Sequence, residues 1–151
     1  MASIVTRATV ADIPGLVDLM EEFYRESGHV LDRAWAGASF KRLLADEALG
    51  AAWLARSGDE RAGYVVLTTK YAMEFGAPEA FIDDLFVRPR FRRQGAATAL
   101  LSQLFDHCRM IGAAAVHVEV GHDNAPARAL YESFGLSAQD RLALTAHMSP
   151  L

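Results

Sequence analysis

The spacing of apolar positions switches repeatedly along the chain between the two-residue period of strands and the three-and-four alternation of helices. Residues 3–9 read as a strand, and residues 11–27 read as a helix whose apolar face is Leu16, Leu19, Met20 and Phe23. Pro14 is tolerated in its first turn, and Gly28 fits its end. A second helix is predicted from Asp32 to about Asp46, with Trp35, Phe40, Leu43 and Leu44 facing inward. Gly50 to Arg56 and Ala62 to Met73 read as paired strands about a turn at Ser57–Glu60. Gly76-Ala77-Pro78 reads as a loop, and Phe81 to Val87 as a strand interrupted only by Asp83 and Asp84. Pro89 biases Arg88 toward extended geometry and ends that strand. The next helix carries Ala97, Leu100, Leu101, Leu104, Phe105, Cys108 and Ile111 on one face and stops at Gly112. Ala113 to Val120 reads as a strand, followed by a turn at Gly121–Asn124 and a helix ending near Phe134. Leu142 to Met148 alternates as a final strand would. The pattern has no repeat and no linker, and predicts one α/β domain over residues 1–151 with mixed strand pairing.

The strand–turn–helix around Gly95 concentrates chemistry. The first N–H groups of a helix lack intrahelical partners, and the helix dipole adds a partial positive charge there. Gly95 allows close approach to the backbone, Ala96 and Ala97 add little bulk, and Arg90, Arg92 and Arg93 can each pair with phosphate. A phosphorylated ligand suits such a spot. No G-K-[S/T] follows Gly95 and no G-x-G-x-x-G occurs, so nucleotide P-loop and dinucleotide classes are excluded.

A length of 151 residues suffices for one domain with a sizeable core, and 52% apolar with 23% charged residues is the balance of a folded globule. The formal charge of −4 argues against general affinity for nucleic acid and suits a cationic substrate. A lone cysteine, Cys108, excludes an intrachain disulfide and implies a reducing compartment, hence the cytoplasm; its place on the apolar helix face makes it a buried, inert thiol. Asp12 interrupts the N-terminal region early, which argues against a signal peptide, and no apolar run is long enough to imply a membrane span. The five histidines are scattered without metal-site spacing, so no metal is expected.

The residues Arg92-Arg93-Gln94-Gly95-Ala96-Ala97, just after a strand, resemble the R/Q-x-x-G-x-G/A signature of the GNAT superfamily of N-acetyltransferases. A second family motif is matched loosely by Asn124, Ala127, Tyr131, Gly135 and Leu136, and the opening IVTRATVADIPGLVDLM is similar to the family's first strand and helix. Ala97 fills the last Gly/Ala slot and Leu136 replaces the commoner Phe. Two adjacent acids before the cofactor strand also resemble the polyamine N-acetyltransferase branch. The resemblance implies a mixed, mostly antiparallel central sheet of about six to seven strands flanked by about four helices. It implies acetyl-CoA as donor, CoA as product and a primary amine, most simply a small molecule, as acceptor. A homodimer is a family-level expectation. The diphosphate would lie on the backbone of Arg93, Gln94, Gly95, Ala96, Ala97 and Thr98, with Arg92 beside it. The pantetheine arm would pair with the backbone of Leu85, Phe86 and Val87. Asn124 and Ala127 would help hold the cofactor, and Tyr131 would stand beside the thioester sulfur.

The chemistry then sets a problem. An alkyl ammonium of pKa about 10.4 needs roughly 4.6 kcal/mol to lose its proton at pH 7, so a base or a water path to one is required. The departing thiolate benefits from an acid, and a phenol such as Tyr131 carries its proton at neutral pH. Adjacent strand residues face opposite ways, so Asp83 and Asp84 are not expected to work as a facing pair. By its match to the polyamine branch, Asp83 is the expected base or ammonium anchor, and Asp84 is expected to be structural. Glu119 on the next strand and Tyr24 on the first helix are expected to contact the acceptor; His117, on the same face as Glu119, reads either as a further contact or as a strand residue at a sheet edge, and Glu21, Glu22, Glu26, Trp35 and Glu74 are expected either to wall the site or to be solvated. Two other functions share the junction. One is a sensor that binds acetyl-CoA without chemistry; the other is an enzyme acetylating a protein lysine or N-terminus.

Overall fold

A computed structural model describes residues 3–149. The chain divides into two compact units, one up to Glu119 and one from Val120 onward.

The first unit is built on a sheet of five strands: β1 (Ile4–Arg7), β2 (Gly50–Ser57), β3 (Glu60–Ala72), β4 (Ala77–Val87) and β5 (Ala115–Val118). Their order in the sheet is the order in the chain, with every pair antiparallel except β4 and β5. A 3-10 turn at Val10–Asp12 leads into helix α1 (Ile13–Glu26), followed by α2 (Arg33–Ala45). A second 3-10 turn at Pro89–Phe91 precedes α3 (Ala96–Met110). The mixed, mostly antiparallel fold therefore matches expectation, with five strands where six to seven were expected.

Local chemistry explains the boundaries. Asp32 caps α2 by accepting the Trp35 N–H at 3.1 Å. Thr9 donates its N–H to Asp12 at 2.8 Å at the entry to α1. The two-residue turn between β2 and β3 needs a left-handed residue, which Gly58 supplies at φ +62.

Helices α1 and α2 cover one sheet face, where Leu16, Leu19, Met20, Ala36 and Phe40 join Ala52, Leu54, Tyr64, Val66 and Phe86 in one buried cluster. Helix α3 lies against β2, β3 and β4, with Leu100, Leu101, Leu104 and Cys108 buried. At about 25 cal/mol per Å² of apolar surface, each such buried Leu contributes roughly 2 kcal/mol.

Three readings of the pattern are corrected. Ala77 and Pro78 belong to β4, where the Pro78 carbonyl accepts the Ala114 N–H at 2.8 Å. Trp35 is 55% exposed, because the buried stripe of α2 runs through Ala36 and Phe40. Residues 142–148 have no regular secondary structure, and Leu142, Leu144 and Met148 are exposed. Alternation alone does not make a strand; a ladder partner is needed, and this segment has none among the described residues.

The second unit contains α4 (Ala125–Ser133). Asn124 caps it, its side-chain oxygen accepting the Ala127 N–H at 3.2 Å. Gly135 closes it at φ +91, with the Leu136 N–H returning to the Tyr131 carbonyl at 3.2 Å.

Candidate active site

The register of β3 against β4 contains one irregularity: Leu67 faces Ile82, and Val66 faces Asp84, leaving Asp83 as an extra residue. That is a β-bulge, and it overturns the simple alternation rule. Tyr64, Val66 and Thr68 alternate regularly on β3 and share the face covered by α1 and α2. Tyr64 Oη donates to Asp84 Oδ2 at 3.1 Å, and Thr68 Oγ1 donates to Asp83 Oδ1 at 3.1 Å. Both carboxylates therefore lie on one face, contrary to the expectation that they would point apart.

Their surroundings differ. Asp83 is exposed, whereas Asp84 is half-buried beside the fully buried Tyr64 ring. Burial pushes the Asp84 carboxyl above the usual carboxylate range; the Tyr64 hydrogen bond opposes this and the Asp83 charge reinforces it. Burial, with the Asp84 charge second, likewise raises the phenols of Tyr64 and Tyr24. Phe81 faces Thr68 across the ladder and stacks on His117 of β5 with ring centroids 4.9 Å apart. His117 Nε2 also lies 3.2 Å from Glu79 Oε1. Glu119, just past the end of β5, is exposed.

The acids of α1 are ion-paired. Glu22 pairs with Arg88 at 2.7 Å, Glu21 with Arg33 at 3.0 Å and Glu26 with Arg92 at 2.8 Å. Tyr24 is the α1 residue whose phenol feels the charge of Asp84. Trp35, expected inward, and Glu74, at the β3–β4 turn, are both exposed.

At the junction before α3, no hydrogen-bond acceptor takes the backbone N–H groups of residues 93–98 among the described residues; the first capped amide is Ala99, bonded to the Gly95 carbonyl at 2.9 Å. Gly95 is left-handed at φ +86, and a Cβ placed there would meet nothing within 4 Å. Arg93 is also left-handed, at φ +62. Of the three arginines expected to meet phosphate, Arg90 pairs with Glu60, and Arg92 donates to Glu26 and, at 2.9 Å, to the Val87 carbonyl. Arg93 alone makes no ion pair among the described residues. Gln94 folds back to the Arg90 carbonyl at 3.1 Å.

β5 pairs only with Glu79–Ile82 of β4, so residues 83–87 have a strand neighbour on one edge and, among the described residues, none on the other. Leu85, Phe86 and Val87 lie on this open stretch, although the Val87 carbonyl already accepts from Arg92. The bulge, the Asp84 environment and the Tyr64 hydroxyl were not legible beforehand. Tyr64 reads as one aromatic in a β-rich run, and only the cross-strand register reveals its partner.

In the second unit Tyr131 is half-buried, and burial raises its phenol. Asn124 and Ala127, expected near the cofactor, bond each other as the cap of α4.

The chain belongs to the GNAT acetyltransferase family, whose model, described as "Acetyltransferase (GNAT) family", matches residues 15–136. It is 30% identical over 125 residues to the uncharacterized N-acetyltransferase YhfO of Bacillus subtilis, covering 83% of this chain and 81% of that one. It is 29% identical over 150 residues to the uncharacterized protein ML0378 of Mycobacterium leprae, covering 97% of this chain but 37% of that protein. A stretch of 59 residues, 39% of this chain, is 42% identical to 40% of the ribosomal protein bS18-alanine N-acetyltransferase of Escherichia coli. The matched stretch thus covers less than half the length of both latter proteins. Among solved structures, an integron cassette protein from the mobile metagenome of Cole Harbour Salt Marsh superposes with TM-score 0.89 and 37% identity, over 97% of this chain and 91% of that one. No helix among the described residues is long and apolar enough to cross a membrane.

Proposed function

We propose that residues 1–151 act as a single N-acetyltransferase domain that moves an acetyl group from acetyl-CoA to a primary amine by direct transfer. Family membership supports the reaction class, and the observation that carries the donor is the run of unbonded amides from Arg93 to Thr98 around a left-handed Gly95. Free N–H groups at a helix start, with open space above a glycine, fit a diphosphate. Arg93 is the cation left for it. The open edge of residues 83–87 fits an extended arm that hydrogen-bonds as a strand does. Acetyl-CoA, when bound, supplies the acetyl group as a thioester.

Within that reading, Asp83 and Tyr24 meet the acceptor, and exposed Glu119 contributes negative charge. Asp83 is the surface anchor for an ammonium, held by Thr68. Tyr131 holds a proton for the departing sulfur: its raised phenol stays protonated throughout the neutral range. Cys108 takes no part. Its buried thiol is pushed up to about 11, so no acyl-enzyme forms on it. Asn124 and Ala127 hold the start of α4 and are the residues of that unit assigned to cofactor contact.

A protein N-terminal amine is the second reading of the acceptor, favoured by the 42% identity over 59 residues with the bS18-alanine enzyme. The test has two steps. Acetyl-CoA should raise the melting temperature of the protein, and Gly95→Glu should abolish that shift. Free thiol release is then followed across a panel of polyamines, amino sugars, amino acids and N-terminal-alanine peptides. An unchanged melting curve at millimolar acetyl-CoA overturns the proposal. A shift without thiol release from any amine makes the protein a sensor.

A further inference from the structure

Resting on the acetyltransferase reading above, we propose that Asp84, rather than Asp83, takes the proton from the acceptor ammonium, with Tyr64 as its positioning residue and Asp83 as the exposed charge that draws the cation in.

The bulge is the first ground. Without the extra residue at 83, Asp83 and Asp84 would stand on opposite sheet faces; with it, both stand on the face of Tyr64 and Thr68. A bulge re-aims side chains at a sheet position where regular pairing would be more stable. Here it lies at the start of the open stretch of β4, beside the backbone proposed to hold the thioester arm.

The second ground is the difference in setting. Asp84 Oδ2 is held by the Tyr64 hydroxyl, a phenol with 0% ring exposure. No described group donates to Asp84 Oδ1, which keeps a lone pair for an incoming proton. Asp83 is solvated and takes its hydrogen bond from the Thr68 hydroxyl. A proton acceptor must be desolvated enough to bind a proton near neutral pH, whereas a cation anchor works best as a permanent charge. Burial and the Asp83 charge push Asp84 in the required direction, and the Tyr64 bond restrains the push.

The third ground is elimination. Glu21, Glu22 and Glu26 on α1 are paired with arginines, and Glu79 lies against His117 and Lys70. The titratable groups around Asp84 are Tyr64 from β3, Asp83 from β4 and Tyr24 from α1, with Thr68 bonded to Asp83 and His117 on β5 behind Phe81. None of the other members is a desolvated carboxylate.

The proton balance is simple. The ammonium gives one proton to Asp84 Oδ1, which becomes a neutral carboxyl and later releases it to water; nitrogen keeps the lone pair. As the C–N bond forms and the C–S bond breaks, the nitrogen's second surplus proton passes to solvent water while the departing thiolate takes one proton, so the whole reaction releases one proton.

The test pairs a titration of the protein alone with kinetics. Carbon NMR of 13C-labelled aspartate carboxyls should show Asp84 titrating above the ordinary carboxyl value of 3.8. Tyr64→Phe should move the Asp84 midpoint up, and Asp83→Asn should move it down. Kinetics use the amine from the panel with the fastest thiol release. Asp84→Asn should cut kcat about 100-fold or more and remove the acidic limb of the kcat/KM profile. Tyr64→Phe should keep the limb but displace it to higher pH. Asp83→Asn should displace it to lower pH and act mainly through KM. An Asp84 that titrates no higher than the ordinary carboxyl value of 3.8 overturns the assignment, as does an acidic limb that survives in Asp84→Asn. A panel in which no amine is acetylated removes the acetyltransferase reading itself, and the melting-temperature shift tells that failure from loss of donor binding.

Discussion

Arg88 clamps Glu22 with three hydrogen bonds, two from Nε at 3.0 and 3.1 Å and one from Nη2 at 2.7 Å, while its Nη1 donates to the Arg61 carbonyl at 2.9 Å. The contact ties the end of β4 to α1 and to the start of β3. Both side chains are largely covered, at 24% and 33% exposure, so the pair differs from the screened surface bridges elsewhere. Arg88→Met leaves Glu22 half-covered without its cation and should cost about 2 kcal/mol. For a chain of this size that is a fall of roughly 4–8 °C in melting temperature. Glu22→Gln should cost less, since the amide oxygen still accepts from Arg88. Thermal scans of both variants and the double mutant measure the coupling, and additive effects would show that the clamp contributes nothing.

Gly63 of β3 stands opposite Val87 of β4. A Cβ there would run into the Phe86 carbonyl oxygen and come within 3.0 Å of Val87 Cα. Both atoms are backbone, so the strands must part. Gly63→Ala is expected to destabilise by about 1–3 kcal/mol. It should also weaken the melting shift given by acetyl-CoA, because the displaced backbone is the stretch proposed to hold its arm. An alanine variant with wild-type stability and an unchanged shift would remove this strand contact from the binding account.

Tyr131→Phe separates the acid from the binding surface. The substitution keeps the ring and deletes a hydroxyl that has no hydrogen-bond partner among the described residues of α4's own unit, so folding should be nearly unaffected. Turnover is expected to fall by about 10²-fold or more, with affinity for acetyl-CoA within a few-fold of wild type. Steady-state kinetics and calorimetry make the comparison; full activity would leave Tyr131 with a packing role only.

The elements that were legible in the chain are those set by local physics. The helix of Leu100, Leu101, Leu104 and Cys108 lies where its spacing places it, and Gly95 stands at its start. What could not be read depends on cross-strand register. The dipeptide Asp83-Asp84 obeys alternation until one extra residue enters the ladder, and no local signal in the sequence marks that bulge. The arginines gave the same lesson. Arg90, Arg92 and Arg93 look equivalent in a basic turn, but Glu60 and Glu26, distant in sequence, claim the first two. Leu142 to Met148 carries a strand's alternation without a ladder to join.

Cys108 should be silent in the native protein. It is 4% exposed, and burial outweighs the nearby Arg109 charge in pushing the thiol up to about 11. A disulfide reagent at pH 8 should label it only as fast as the protein unfolds. Cys108→Ala should keep acetyl transfer while losing about 1 kcal/mol from the small void left behind. Rapid stoichiometric labelling of folded protein, or an inactive alanine variant, would contradict the assignment.

Asp84 carries a cost in stability whose sign can be worked out. Its carboxyl is raised in the folded chain relative to its ordinary value of 3.8, mainly by burial. The folded state therefore binds the proton more tightly than the unfolded state does. Such a group contributes its full stability below the unfolded value and loses it as pH rises through the folded one. At neutral pH the ionised Asp84 thus opposes folding. Asp84→Asn mimics the neutral form, and its amide oxygen can still accept from Tyr64. The variant should melt above wild type at pH 7, and the difference should shrink as pH falls toward the ordinary carboxylate range. Paired with its predicted loss of turnover, that gain would mark Asp84 as a residue kept for chemistry at the expense of stability. A variant less stable than wild type at pH 7 would instead make Asp84 a structural anchor for Tyr64.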